Sequence, residues 1–110
     1  MYKRQLLFKK KMSNTDEETE NTAYRFTLEV SNKMGVHARP AAMIVRIASK
    51  YSGEIWVRKE DERVNAKSIM GIMMLAAAKG TELQFECTEE NAENFEKEMK
   101  ELFSSKFQDE

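Results

Sequence analysis

Residues 34–42 read Met34-Gly35-Val36-His37-Ala38-Arg39-Pro40-Ala41-Ala42. Gly35 is a breaker, and Pro40 stands where proline is best tolerated, in the first turn of a helix, whose N–H groups have no intrahelical acceptor. A helix is therefore predicted to start between His37 and Arg39. Beyond it Ala41, Ile44, Val45, Ala48 and Tyr51 recur at spacings of three and four, while Arg46, Ser49 and Lys50 fall on other faces. That is the pattern of an amphipathic helix with one stripe to bury.

The flanking sequence supplies what the stripe needs. Before it, Tyr24, Phe26, Leu28 and Val30 alternate with Arg25, Thr27 and Glu29, the period-two signature of a half-buried strand. After it, residues 54–59 read as a strand with Ile55 and Val57 inward, followed by a charged turn at Glu60-Asp61 and a short strand ending in Val64-Asn65-Ala66. Residues 68–79 form a second helical stretch that Gly80 is expected to stop. Residues 81–87 alternate again, and Thr88, Glu89, Glu90 and Asn91 open a last helix striped with Ala92, Phe95, Met99, Leu102 and Phe103. The order is βαββαβα. Three helices covering one face of a four-stranded, mostly antiparallel sheet make an α+β fold, an open-faced β-sandwich. Trp56 should then lie on the uncovered face.

At 110 residues the chain holds one domain, residues 23–110. Residues 1–22 turn from basic to acidic and polar, residues 13–22 offering nothing to bury, and are expected to be a disordered N-terminal extension. Their apolar patch, Leu6-Leu7-Phe8, is too short for a signal-peptide core, and no run approaches the ~18 apolar residues of a membrane span. A formal net charge of −1 argues against nucleic acid as a partner. A single cysteine and a single histidine provide neither an internal disulfide nor a metal-ligand set, which points to a reducing cytoplasm. Cys87 shares its alternating face with Leu83 and Phe85, a core position.

The chemistry lies at His37. Free N–H groups at the start of a helix favour an anion. A neutral imidazole there is a competent nucleophile, and Arg39 adds a forked, permanently charged donor. The same residues also fit a plainer role, a histidine that only caps a helix.

Gly35-Val36-His37-Ala38-Arg39-Pro40-Ala41 resembles the active-site signature of HPr, the histidine-containing phosphocarrier of the bacterial phosphoenolpyruvate-dependent sugar phosphotransferase system. Lys67-Ser68-Ile69-Met70-Gly71-Ile72-Met73 resembles the family's regulatory-serine segment. The resemblance extends from about Tyr24 to Phe107 and implies the same open-faced sandwich. It implies that His37 accepts a phosphoryl group on Nδ1 from phosphorylated enzyme I and passes it to sugar-specific IIA domains, with Arg39 and the first helical amides, Ala38 and Arg39, holding the phosphate. Such a protein is a monomeric covalent relay rather than a free-standing enzyme, and it uses no cofactor or metal.

Ser68, read from its position before an apolar run, is a helix N-cap. The resemblance adds regulation at Ser68 by an HPr kinase/phosphorylase, whose phosphate would leave the helix intact and place charge in the docking surface. It also implies a docking patch of Ala42, Met43, Arg46, Ile69, Met70 and Met73, in which soft methionines suit successive unlike partners. Met34, Met74 and Ala76 depart from residues frequent in the family. A regulatory paralogue acting on enzymes or transcription factors, and a non-catalytic α+β binding module, are the rival readings.

Overall fold

The structure, a computed structural model, describes residues 23–88 and 90–108. The expected N-terminal extension lies outside them. The elements are β1 (Tyr24–Glu29), α1 (Ala38–Ala48), β2 (Ile55–Lys59), β3 (Glu62–Asn65), α2 (Ile69–Met74), β4 (Glu82–Cys87) and α3 (Ala92–Ser104). The four strands form one sheet in the order β1-β4-β2-β3, antiparallel at every pairing. This is the βαββαβα open-faced sandwich.

Alternation in each strand sets the core. Register places Phe26 opposite Phe85, Leu28 opposite Leu83, and Val57 between Phe85 and Val64, all on the face that the helices cover. Phe95 of α3 sits edge-on to Phe26, Phe85 and Tyr51 at 5.4–5.9 Å between ring centres. The predicted stripe of α3, from Ala92 through Phe103, is buried throughout, as is Cys87. A Phe95→Ala cavity at this junction would cost about 3–5 kcal/mol. Tyr51 is buried too, but it lies beyond the end of α1 rather than on it.

Three local features differ from the sequence reading. The second helix ends at Met74, not Lys79. Ala76 takes a left-handed conformation with φ 50°, Ala77 is buried, and the Lys59 ammonium donates to the carbonyl of Leu75 at 2.9 Å, closing the helix five residues early. Gly80 therefore belongs to a turn, where its N–H donates to the carbonyl of Val30. Thr88 does not cap α3. It is drawn instead to Glu54, whose carbonyl accepts its N–H and whose own N–H donates to its hydroxyl oxygen. Finally, residues 106–108 form a left-handed turn of three non-glycine residues, held by the buried Phe107 ring 4.9 Å from Phe103.

Candidate functional site

The loop between β1 and α1 is built around a side chain that the motif reading passed over. Asn32 is fully buried, and its Nδ2 donates to the carbonyl of Gly35 at 2.8 Å while the Gly35 N–H returns to the Asn32 carbonyl at 3.2 Å. This closed turn needs φ +73° at Gly35. It needs space as well: a Cβ at Gly35 would stand 2.7 Å from the carbonyl oxygen of Ala77. The next amide, Val36, donates to that same oxygen at 2.9 Å. The loop before His37 is thereby fastened to the loop after α2. An asparagine three residues before a glycine is a turn signal, but nothing in the sequence pairs either with Ala77.

His37 occupies the N-cap of α1 in extended conformation, and its carbonyl accepts the first helical bond from Ala41 at 2.9 Å. Its side chain makes no capping bond to the helix, so the purely capping role is not used. The ring is half-buried with Nε2 turned into the protein. Ala38 and Arg39 are exposed in the first turn, which contains no acidic residue. Pro40 follows them inward.

Ser68 is the N-cap of α2, as read: its Oγ accepts from the Gly71 amide at 2.9 Å. Lys67 beside it donates to the carbonyls of Tyr51 and Gly53, tying the start of α2 to the end of α1. The two helices pack against each other. The large hydrophobic side chains left exposed among the described residues are Met34, Ile69, Met70, Met73 and Met74. All come from α2 or from the loop before His37. Ile69, Met70 and Met73 were expected there; Met34 and Met74 enlarge the patch. Ala42 and Met43 are half-buried and Arg46 is exposed on α1.

Residues 30–53 contain Lys33, Arg39, Arg46 and Lys50 and residues 66–79 contain Lys67 and Lys79, with no carboxylate in either segment; Lys50, beyond the far end of α1, is paired with Glu98 of α3. An anion near His37 thus meets positive charge, helix amides and an apolar rim together. Among the described residues no cluster of histidine, cysteine or carboxylates could hold a metal ion.

A family model described as "PTS HPr component phosphorylation site" matches residues 24–105. The chain belongs to the HPr family. It is 43% identical over 84 residues to phosphocarrier protein HPr of Treponema pallidum, an alignment spanning 76% of this chain and 96% of that one. HPr of Neisseria meningitidis serogroup A is 53% identical over 60 residues, 54% of this chain and 67% of the relative. Among solved structures, the crystal structure of HPr-C-His from Thermoanaerobacter tengcongensis superposes with a TM-score of 0.74 at 45% identity, covering 79% of this chain and 98% of the other. The residues that the family model matches take in the His37 loop, α2 and all four strands.

Proposed function

We propose that this chain is a cytoplasmic phosphocarrier in which His37 accepts a phosphoryl group from phosphorylated enzyme I and hands it to IIA domains. The observation that carries the reading is the placement of the chain's only histidine at the N-cap of α1, before a first turn that holds Arg39 and no acidic residue, on a protein whose exposed methionines lie in the same loop and in α2. Membership of the family assigns the phosphate to Nδ1, and it is the other ring nitrogen, Nε2, that is buried. In each transfer one bond to phosphorus forms as another breaks, in line, between the Nδ1 nucleophile and the donor or acceptor group. The amides of Ala38 and Arg39 and the Arg39 guanidinium neutralise the phosphate without reorganising. The protein carries the group and is returned unchanged after donation, so it acts as a relay and not as a free-standing enzyme.

Docking falls to Met34, Ala42, Met43, Arg46, Ile69, Met70, Met73 and Met74, around His37. Ser68 lies at the edge of that surface. A phosphate placed there by an HPr kinase/phosphorylase would keep α2 capped while turning the surface less positive.

The test is incubation of the protein with enzyme I and labelled phosphoenolpyruvate. The adduct should be acid-labile and alkali-stable, as a phosphoramidate is, and should pass to IIA domains. His37→Ala should remain folded and take up no label, whereas Arg39→Ala should be slowed but active, since the helix amides remain. Label on the His37→Ala protein would overturn the assignment. Label that no IIA domain removes would favour the regulatory paralogue.

A further inference from the structure

The exposed apolar side chains around α2 are mostly thioethers, and thioethers have a reactivity that phosphoryl transfer does not use. Met34, Met70 and Met74 are 69–71% exposed, and Met73 is 41% exposed. Met99, by contrast, is buried in the core, and Met43 is half-buried. The chain's one thiol, Cys87, is buried as well. Among the described residues, an oxidant arriving from solvent therefore meets thioether sulfur before thiol. The sulfurs it reaches most easily stand three residues before His37, at Met34, or on α2. α2 packs against α1, and the Val36–Ala77 bond fastens the loop after α2 to the His37 loop.

The reaction needs only a peroxide. The sulfur lone pair attacks one peroxide oxygen, an S–O bond forms as the O–O bond breaks, and hydrogen peroxide is reduced to water while the thioether becomes a sulfoxide. In the free protein the new oxygen stays hydrated, because these side chains already stand in water, and the fold bears no cost. In a docked complex the same oxygen is pressed into an apolar contact, and a polar group stripped of water without a partner opposes binding. A soft side chain that packs on unlike partners has become a polar, chiral one. The loss falls on docking and leaves the imidazole chemistry alone.

On the phosphocarrier reading of His37, we infer that Met34, Met70, Met73 and Met74 form a reversible oxidation site, at which peroxide weakens docking on enzyme I. Methionine sulfoxide reductases reverse it: a dithiol closes to a disulfide and the sulfoxide oxygen leaves as water.

The full chain is treated with hydrogen peroxide, the peroxide is removed with catalase, and phosphoryl acceptance from enzyme I is measured beside peptide mapping by mass spectrometry. Oxygen is expected on Met34, Met70, Met73 and Met74 before Met99, with the thermal unfolding curve unchanged. KM for the protein as acceptor should rise about tenfold while kcat holds, and the two sulfoxide reductase types with dithiothreitol should restore it. In an M34L/M70L/M73L/M74L protein, compared treated against untreated, KM should not move. An unchanged KM in the oxidised parent, a rise that persists in the leucine protein, a rise that the reductases do not reverse, or oxidation that unfolds the chain overturns the inference and leaves the phosphocarrier reading standing. An untreated parent that accepts no phosphate overturns that reading, and the oxidation site with it.

Discussion

The Val36 amide and the Ala77 carbonyl meet at 2.9 Å, and this one bond joins the loop that presents His37 to the loop that ends the Ser68 helix. The two segments of the proposed docking surface, 41 residues apart in sequence at this bond, are therefore tied to each other through backbone. Disturbing either loop should be felt at the other.

Gly35→Ala tests that fastening. The new methyl group would press on the Ala77 oxygen at 2.7 Å in a backbone conformation with φ +73°. A loss of about 1–3 kcal/mol is expected in urea unfolding, together with slower phosphoryl acceptance by the fraction that stays folded.

Asn32→Ala removes the side chain that closes the turn and takes the 2.8 Å donor from the Gly35 carbonyl, which keeps only the His37 N–H at 3.1 Å. The expected cost is that of one net hydrogen bond, about 0.5–1.5 kcal/mol. Hydrogen exchange should locate the loosening in the amides of residues 33–37 and spare α3.

Ser68→Ala should cost about 1 kcal/mol through the lost bond to the Gly71 amide, with little change in transfer from enzyme I. Ser68→Asp keeps an acceptor at the N-cap, so stability should hold, while negative charge beside Ile69 and Met70 slows docking. Equal transfer rates for the parent and Ser68→Asp would remove Ser68 from the docking surface.

A pH-dependent contribution to stability is expected from the α1–α3 contact. Burial, followed by its 2.6 Å bond to Glu98, pushes the Tyr51 hydroxyl from 10.0 up to about 12. Below pH 10 this group is protonated in folded and unfolded chains alike, and its contribution is whole. Between pH 10 and 12 the unfolded chain ionises first, so about 2–3 kcal/mol of stability should be lost over that window. Tyr51→Phe should flatten this alkaline slope in pH-dependent unfolding. Glu98 acts at the other end: burial raises its carboxyl, but the bonds from Lys50 and Tyr51 outweigh this and hold it below its ordinary value. Its contribution is present above that ordinary value and is lost as pH falls through the lower one.

Much of the fold was legible along the chain because its causes are local. Alternation in β1 and β4 placed Phe26, Leu28, Leu83 and Phe85 inside, and the glycine and proline around His37 placed the start of α1 within a residue of where it stands. The Ser68 cap is likewise a contact over three residues. What the chain could not announce were contacts whose partners are distant. The end of α2 at Met74 depends on Lys59 and on the burial of Ala77; the desertion of α3 by Thr88 depends on Glu54; the left-handed turn at 106–108 depends on Phe103. Periodicity and propensity register only neighbours within a turn or a strand. The carbonyl of Ala77 becomes the acceptor for Val36, and the floor beneath Gly35, only when the packed sheet and helices bring residues 35 and 77 together.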